Sequence, residues 1–229
     1  MNIQKENAIQ QIQTLFNSLT EVVLQQLDLL EKIINEGEIE IPVKSLEKFD
    51  ANEKLIDNYE IQITNKIIDT IVLQQPVASD LRKVMSLYQM VSNLERIGDS
   101  VINIIHLIRK IQNIDVYKNI SEVISNMMIA SVTMVRKSIE SFVLNEKRDA
   151  IWTIKNDEEI DGMKHKLINK AIKKRDLPEE TQHLLFTFIN LSNIISNIER
   201  IADHATNIAE ASIYSIEGRD LRHQKDINE

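Results

Sequence analysis

The sequence predicts an all-α protein built as two tandem antiparallel three-helix bundles related by internal duplication. Only 4 Gly and 3 Pro interrupt 229 residues, and so few breakers favour long helices over sheet. Apolar residues recur at helical rather than strand spacing along most of the chain. Two stretches, "NLERIGDSVINI" from Asn93 and "NIERIADHATNI" from Asn197, repeat one another at an offset of 104 residues.

The helices follow from the punctuation. The first spans Ile3 to Ile34, with Ile9, Ile12, Leu15, Phe16, Leu19, Val22 and Val23 at helical spacing, and stops before Gly37. The second spans Leu46 to Leu73 and ends before "QQP". Pro76 has no N–H to donate and suits a first helical turn, where Asp80 also interacts well with the helix dipole. The third helix runs from there to about Gln112, and Asn113 to Asp115 form a break. The fourth covers Val116 to Leu144, and the fifth covers Asp149 to Lys174. The sixth opens at Pro178, Glu179 and Glu180 and reaches Ile216. The units are therefore residues 1–113 and 114–217, with 218–229 a charged, flexible tail.

Duplication also organises the acidic residues. Aligning Val91–His106 with Ile195–Glu210 matches half of the positions, and the same offset places Glu53 on Asp157 and Asp57 on Asp161. An acidic residue, three others, then Asp therefore occurs four times: Glu53 and Asp57, Glu95 and Asp99, Asp157 and Asp161, Glu199 and Asp203. Residues four apart share one helix face, and like charges there destabilise a bare helix by roughly 0.2–0.5 kcal/mol. Stability alone would place Lys at one of the two positions. Leu87, Val91, Leu94, Val101 and Ile105 form the apolar side of helix three, and Glu95 and Asp99 lie about 100° away, at the edge of the core. Gly98, whose copy is Ala202, lets the facing helix approach closely. Helices two and three can thus bring Glu53, Asp57, Glu95 and Asp99 together as a cation site. Carboxylates on facing helices build oxygen-rich metal sites in bundles, suited to Mg, Mn, Ca or Fe, with Zn also accepting carboxylates.

Around these sit weaker candidates. Asn103 and Asn207 lie one turn further on the same side, while His106 and Glu210 continue the stripe. His165 lies one turn past Asp161, although its counterpart is Ile61 and a surface role is the simpler expectation. Arg96 and Arg200 point elsewhere, as candidates for structural ion pairs, and His204 points away from its acidic pair. Trp152, Met127, Met128 and Met134 are expected in the core.

Composition narrows the function. A net charge of −8 disfavours a nucleic-acid binder. The absence of Cys excludes disulfides and thiolate sites. No signal-peptide core or membrane-length apolar run is present, which points to a cytoplasmic protein. No Gly-rich phosphate loop or nucleophile in context suggests an enzyme. The Glu-x-x-His motif of di-iron bundle enzymes is missing from the acidic positions.

The stretches "QQPVASDLR" (Gln74 to Arg82), "LERIGD" (Leu94 to Asp99) and "ERIADHATNIAE" (Glu199 to Glu210) closely resemble the PhoU family, and the likeness extends from Ile3 to Gly218. The resemblance implies a cytoplasmic, homodimeric, non-enzymatic protein of two three-helix bundles. It implies negative control of the phosphate-starvation response, linking a phosphate ABC transporter's nucleotide-binding subunit to a phosphate-sensing histidine kinase. It reaches the membrane only through partners. Metal clusters of iron, zinc, magnesium or manganese are implied on Glu53, Asp57, Glu95, Asp99, Asp157, Asp161, Glu199 and Asp203, with Glu53 standing where the family commonly has Asp. "ASDLR", containing Asp80 and Arg82, has no copy in the second half, which suggests a partner-binding or structural role. The alternatives are a metal-free helical adaptor using its acidic faces for protein contacts, and a carboxylate-bridged metallohydrolase.

Overall fold

The structure, a computed structural model, describes residues 3–37, 39–172 and 181–221, excepting the side chains of 158, 159, 161, 164–172 and 181–183. Six helices follow in order: α1 (Ile3–Glu36), α2 (Val43–Gln74), α3 (Ser79–Ile108), α4 (Ile114–Leu144), α5 (Lys147–Ile172) and α6 (Thr181–Glu217). No strand occurs among the described residues. Helices α1–α3 pack on one another, as do α4–α6, and the two groups join through α3 on α6 and α1 on α4.

The helix ends have local causes. Gly37 stops α1 at a φ of 67°, a left-handed value that glycine adopts without strain. Pro42 precedes α2 as its N-cap, so this helix begins three residues before the expected Leu46. The expected role of Pro76 is corrected. Helix α3 begins at Ser79, while Pro76 is buried in the connection between Gln75 (φ 46°) and Ala78 (φ 48°). Two left-handed residues turn the chain there, and the helix cannot start until they are passed. Asp80 nevertheless lies in the first turn of α3, where it pairs with Lys5 of α1. The Asn113 side chain accepts a hydrogen bond from the Val116 N–H at 3.0 Å and caps α4. The expected opening of α6 at Pro178–Glu180 falls outside the described residues.

One continuous apolar core runs through both groups. Leu87, Val91, Leu94, Val101 and Ile105 are all at most 2% exposed, as the periodicity predicts. Phe16 of α1 and Phe142 of α4 meet edge-on across the groups, with ring centroids 5.5 Å apart. Met127, Met128 and Met134 are buried, but Trp152 is 36% exposed and corrects the expectation of a core residue. Its ring lies 4.9 Å from the Lys137 ammonium, which also pairs with Asp149 at 2.7 Å. The indole thus covers a charged stem at the edge of α4 and α5. The tail expectation is also revised in part. Leu221 is 4% exposed and packs with Ala150, Ala209 and Ile213, while 222–229 lie outside the described residues.

The α3–α6 seam has a simple register. Arg82 packs over Gly218, Asn207 bonds Asn93, Asn190 bonds the Lys110 carbonyl, and Thr187 accepts from Asn113 N–H. The two residue numbers total 300 in every pair, so the helices run antiparallel in constant register. With the 104-residue offset, only Gly98 and Ala202 are both repeat equivalents and opposite each other. A local pseudo-twofold axis therefore passes between α3 and α6 at that level.

Candidate metal centre

Gly98 is buried where α2 crosses α3, and a Cβ there would stand 3.0 Å from Ile56 Cδ1 and 3.6 Å from Glu53 Oε2. The close approach expected from the sequence is present, and it sets Glu53 against Asp99. Gln26 of α1 reaches the same point, its Nε2 donating to the Gly98 carbonyl at 3.4 Å.

Glu53, Asp57, Glu95 and Asp99 act on one another electrostatically where α2 meets α3, and Glu60 joins them. Glu53 is half-buried, and its carboxyl is pushed up to about 7. Burial is the main cause, followed by the closeness of Asp99 and then the charges of Asp99 and Asp57, while Gln26 opposes the shift. Glu95 is also raised to about 7, by burial and then by Asp99, Glu60 and Asp57, against the opposing charge of Arg96. Glu60 is raised for the same reasons, with burial first and Asp57 and Asp99 next. Glu53 Oε2 is buried with no hydrogen-bond partner among the described residues. A buried, unpartnered oxygen among crowded carboxylates is costly unless a cation or proton joins it.

The donor set therefore fits a hard cation: it is all oxygen, already crowded, and includes an unsatisfied atom aimed at the helix crossing. As the side chains stand, no group of three or more Asp, Glu or His among the described residues is close enough to hold a metal. Binding an ion here requires the carboxylates to draw inward.

The second half is described in part. Asp157 and Glu199 are half-buried and Asp203 is exposed, and each already has a polar or electrostatic partner. The side chains of Asp161 and His165 lie outside the described residues. Asn207 and Glu210 face α3 across the seam, where Asn207 Nδ2 donates to Asn93 Oδ1 at 3.2 Å and Glu210 lines an adjoining cavity. His106 is exposed on α3. Arg82, half-buried, lies over the α6 C-cap at Gly218 (φ 71°), with its Nε buried and unpartnered. Asp80 and Arg82 thus both make contacts within the chain.

His204 is half-buried, with Nδ1 2.9 Å from Asn93 Oδ1. Burial, then Arg96 and Arg200, hold its imidazole down to about 4. It plugs the seam as a neutral side chain, in keeping with the structural role expected. Arg96 and Arg200 depart from expectation. Both are exposed, and neither forms an ion pair among the described residues. They line the same cavity of about 340 Å³ beside Asp99 and Asn103. The sequence reading missed Glu60, although its position seven residues after Glu53 and three after Asp57 placed it on the same helix face. It had no signal for the meeting of Arg96 with Arg200, which depends on how the two halves dock.

The PhoU domain model matches the chain twice, over residues 16–108 and 124–212. The chain belongs to the PhoU family. A PhoU homolog of Clostridium acetobutylicum, named a phosphate-specific transport system accessory protein, is 31% identical over 170 residues, covering 73% of each chain. The homolog of the same name from Aquifex aeolicus is 32% identical over 215 residues, covering 90% of each. The crystal structure of the phosphate transport system regulatory protein PhoU from Streptococcus pneumoniae superposes with a TM-score of 0.79 at 22% identity, over 94% of this chain and 98% of that one. PhoU from Pseudomonas aeruginosa gives 0.75 at 18% identity, over 93% and 99%. These likenesses confirm the helical-bundle fold expected from the sequence. The two PhoU matches straddle the duplication, and each ends within a few residues of the seam's outer contacts. No helix among the described residues is long and apolar enough to cross a membrane.

Proposed function

We propose that this chain is a cytoplasmic, homodimeric, non-enzymatic negative regulator of the phosphate-starvation response and a modulator of phosphate uptake. It links the nucleotide-binding subunit of a phosphate ABC transporter to a phosphate-sensing histidine kinase. The printed names of its relatives support the tie to phosphate transport. The observation that carries the metal part is the crowded carboxylate cluster, with Glu53 and Glu95 raised to about 7 and Glu53 Oε2 unpartnered.

Glu53, Asp57, Glu95 and Asp99 hold an iron, zinc, magnesium or manganese ion in the first half, and Asp157, Asp161, Glu199 and Asp203 hold one in the second. A bound ion supplies positive charge that cancels carboxylate repulsion. Gln26 orients the first cluster by anchoring the Gly98 carbonyl, and Gly98 keeps α2 close enough for both helices to contribute. The resulting face can dock on a partner surface without the penalty of uncompensated like charge.

The test pairs two readouts. Glu95→Gln with Asp99→Asn, and separately Glu199→Gln with Asp203→Asn, are expected to lower bound metal in elemental analysis and to derepress phosphate-starvation genes. Unchanged metal content together with unchanged expression refutes the reading. A metal-free adaptor is the second reading, favoured by the absence of a preformed three-ligand group among the described residues. Untagged protein purified without chelator and free of stoichiometric metal would support the adaptor.

A further inference from the structure

The two halves differ in the helix that backs their acidic residues. Shifted by 108 residues, every buried position of α1 except Ile12 falls on a buried position of α4. This shift exceeds the 104-residue offset of the later helices because the α1–α2 connection, residues 37–42, is longer than the α4–α5 connection, residues 145–146. In this register Gln26 corresponds to Met134. Both are buried, at 0% and 1% exposure. The first half thus places an amide in its core where the second half places a thioether.

Burying an amide is costly unless both of its ends are paired. Gln26 Nε2 donates to the Gly98 carbonyl at a long 3.4 Å. That carbonyl lies inside α3, where the helix ladder already supplies a donor. The bond orients the amide without accounting for its burial. The other end, Gln26 Oε1, is buried with no partner among the described residues. The amide also lies beside the Glu53 carboxyl, toward which it acts as a hydrogen-bond donor, and Glu53 Oε2 is buried and unpartnered in the same sense. Two buried oxygens, one from α1 and one from α2, therefore lack a positive partner beside Gly98 of α3.

A hard cation meets both needs. Glu53, Asp57, Glu95 and Asp99 already repel one another, so a further carboxylate would add repulsion. An amide oxygen adds a donor to the coordination shell without adding charge. The thioether at Met134 is too soft to serve the same ion. We propose that Gln26 Oε1 is a ligand of the first-half cation, so that α1, α2 and α3 all contribute to the site. The inference rests on the metal reading above. It gives the first site a neutral oxygen donor that the second half lacks at Met134.

Mn²⁺ is the probe, added to the chelator-stripped full chain in isothermal titration. Glu199→Gln with Asp203→Asn leaves the first site alone, and Glu95→Gln with Asp99→Asn leaves the second. In the first background Q26M is expected to weaken Mn²⁺ by about 10-fold or more, since even supporting groups at metal sites contribute that much. It should also shrink the melting-point rise that Mn²⁺ produces. In the second background Q26M should change neither. Q26E keeps an oxygen at the same place and should bind Mn²⁺ more tightly than Q26M, which separates a lost donor from a changed packing volume. Crystals of the parent grown with Mn²⁺ supply a readout that needs no variant: the anomalous peak should lie within roughly 2.0–2.6 Å of Gln26 Oε1, the range of hard cations on oxygen. Parental Mn²⁺ affinity in a folded Q26M chain, equal losses in both backgrounds, or an anomalous peak beyond that distance overturns the inference and leaves the metal reading standing. A parent chain that binds no Mn²⁺ overturns both.

Discussion

Gly98 is the position where fold and site depend on the same atom-scale fact. A Cβ there would stand 3.0 Å from Ile56 Cδ1, and Ile56 is fully buried in the core. Gly98→Val places a Cβ and two methyls into that contact. Overpacking of a dense core costs typically about 1–3 kcal/mol, whereas replacing a helical glycine with valine recovers at most about 0.5 kcal/mol of propensity. The net loss is about 1–2 kcal/mol, or a melting point lower by roughly 2–8 °C for a domain of this size. The same substitution pushes α2 off α3 and carries Glu53 away from Asp99, so bound metal should fall with stability. Gly98→Ala is the control: about 1 kcal/mol of propensity gain offsets the milder contact, and its melting point should stay near that of the parent. Thermal melts with elemental analysis decide. A Gly98→Val chain that melts at or above the parent and keeps its metal refutes the close-approach reasoning.

Other predictions rest on separate features. In chelator-treated protein, Glu53 at about 7 against an ordinary 4.5 binds more protons folded than unfolded, so stability is highest below about 4.5 and is lost as pH rises through 7. At 1.36 kcal/mol per unit, the ceiling is about 3 kcal/mol, and solvent screening of a half-buried group reduces it to about 1–2 kcal/mol. Glu53→Gln should therefore raise the metal-free melting point at pH 8 and not at pH 4.5; equal shifts at both would contradict the origin in charge. Leu221→Ala empties a contact with Ala150, Ala209 and Ile213 and should cost about 2 kcal/mol in denaturant melts, where a flexible tail would show no change. Asp149→Ala strands Lys137 beside Trp152 and should cost about 1–3 kcal/mol, with Asn at the same position retaining part of it.

The elements legible in the sequence are those set by local chemistry. Sparse breakers and 3.6-residue periodicity placed all six helices, and the offset of 104 exposed the duplication, because both are one-dimensional signals. The α2–α3 acidic cluster was legible as well, since spacing fixes which face of a helix a carboxylate occupies and Gly98 marks where a neighbour comes close. Pro76 misled because proline at a helix start and proline in a connection have the same sequence signature, and the left-handed Gln75 and Ala78 decided between them. Trp152 misled because a large apolar ring is as useful over a lysine stem as in a core. The convergence of Arg96 with Arg200 was not legible at all. Each arginine sits on its own helix with ordinary polar neighbours, and only the antiparallel docking of α3 on α6 brings them to one cavity.

That docking also explains why a duplicated chain need not have duplicated sites. A twofold between equivalent helices gives each contact a mate, so a difference between copies at the axis shows as a contact made on one side alone. His204 and Ser100 are such a pair, each two residues from the axis at Ala202 and Gly98: the histidine reaches Asn93 across the seam, and the serine bonds its own helix. The arginines remain the same in both copies, and Arg96 and Arg200 line one cavity together with Glu60, Glu95 and Asp99. Ser100→His supplies the missing mate: it is expected to engage the unpartnered Asn197 Oδ1 as His204 engages Asn93, and to raise the melting point while leaving the helical content unchanged. A folded Ser100→His chain that melts at or below the parent would refute the reasoning from the missing mate.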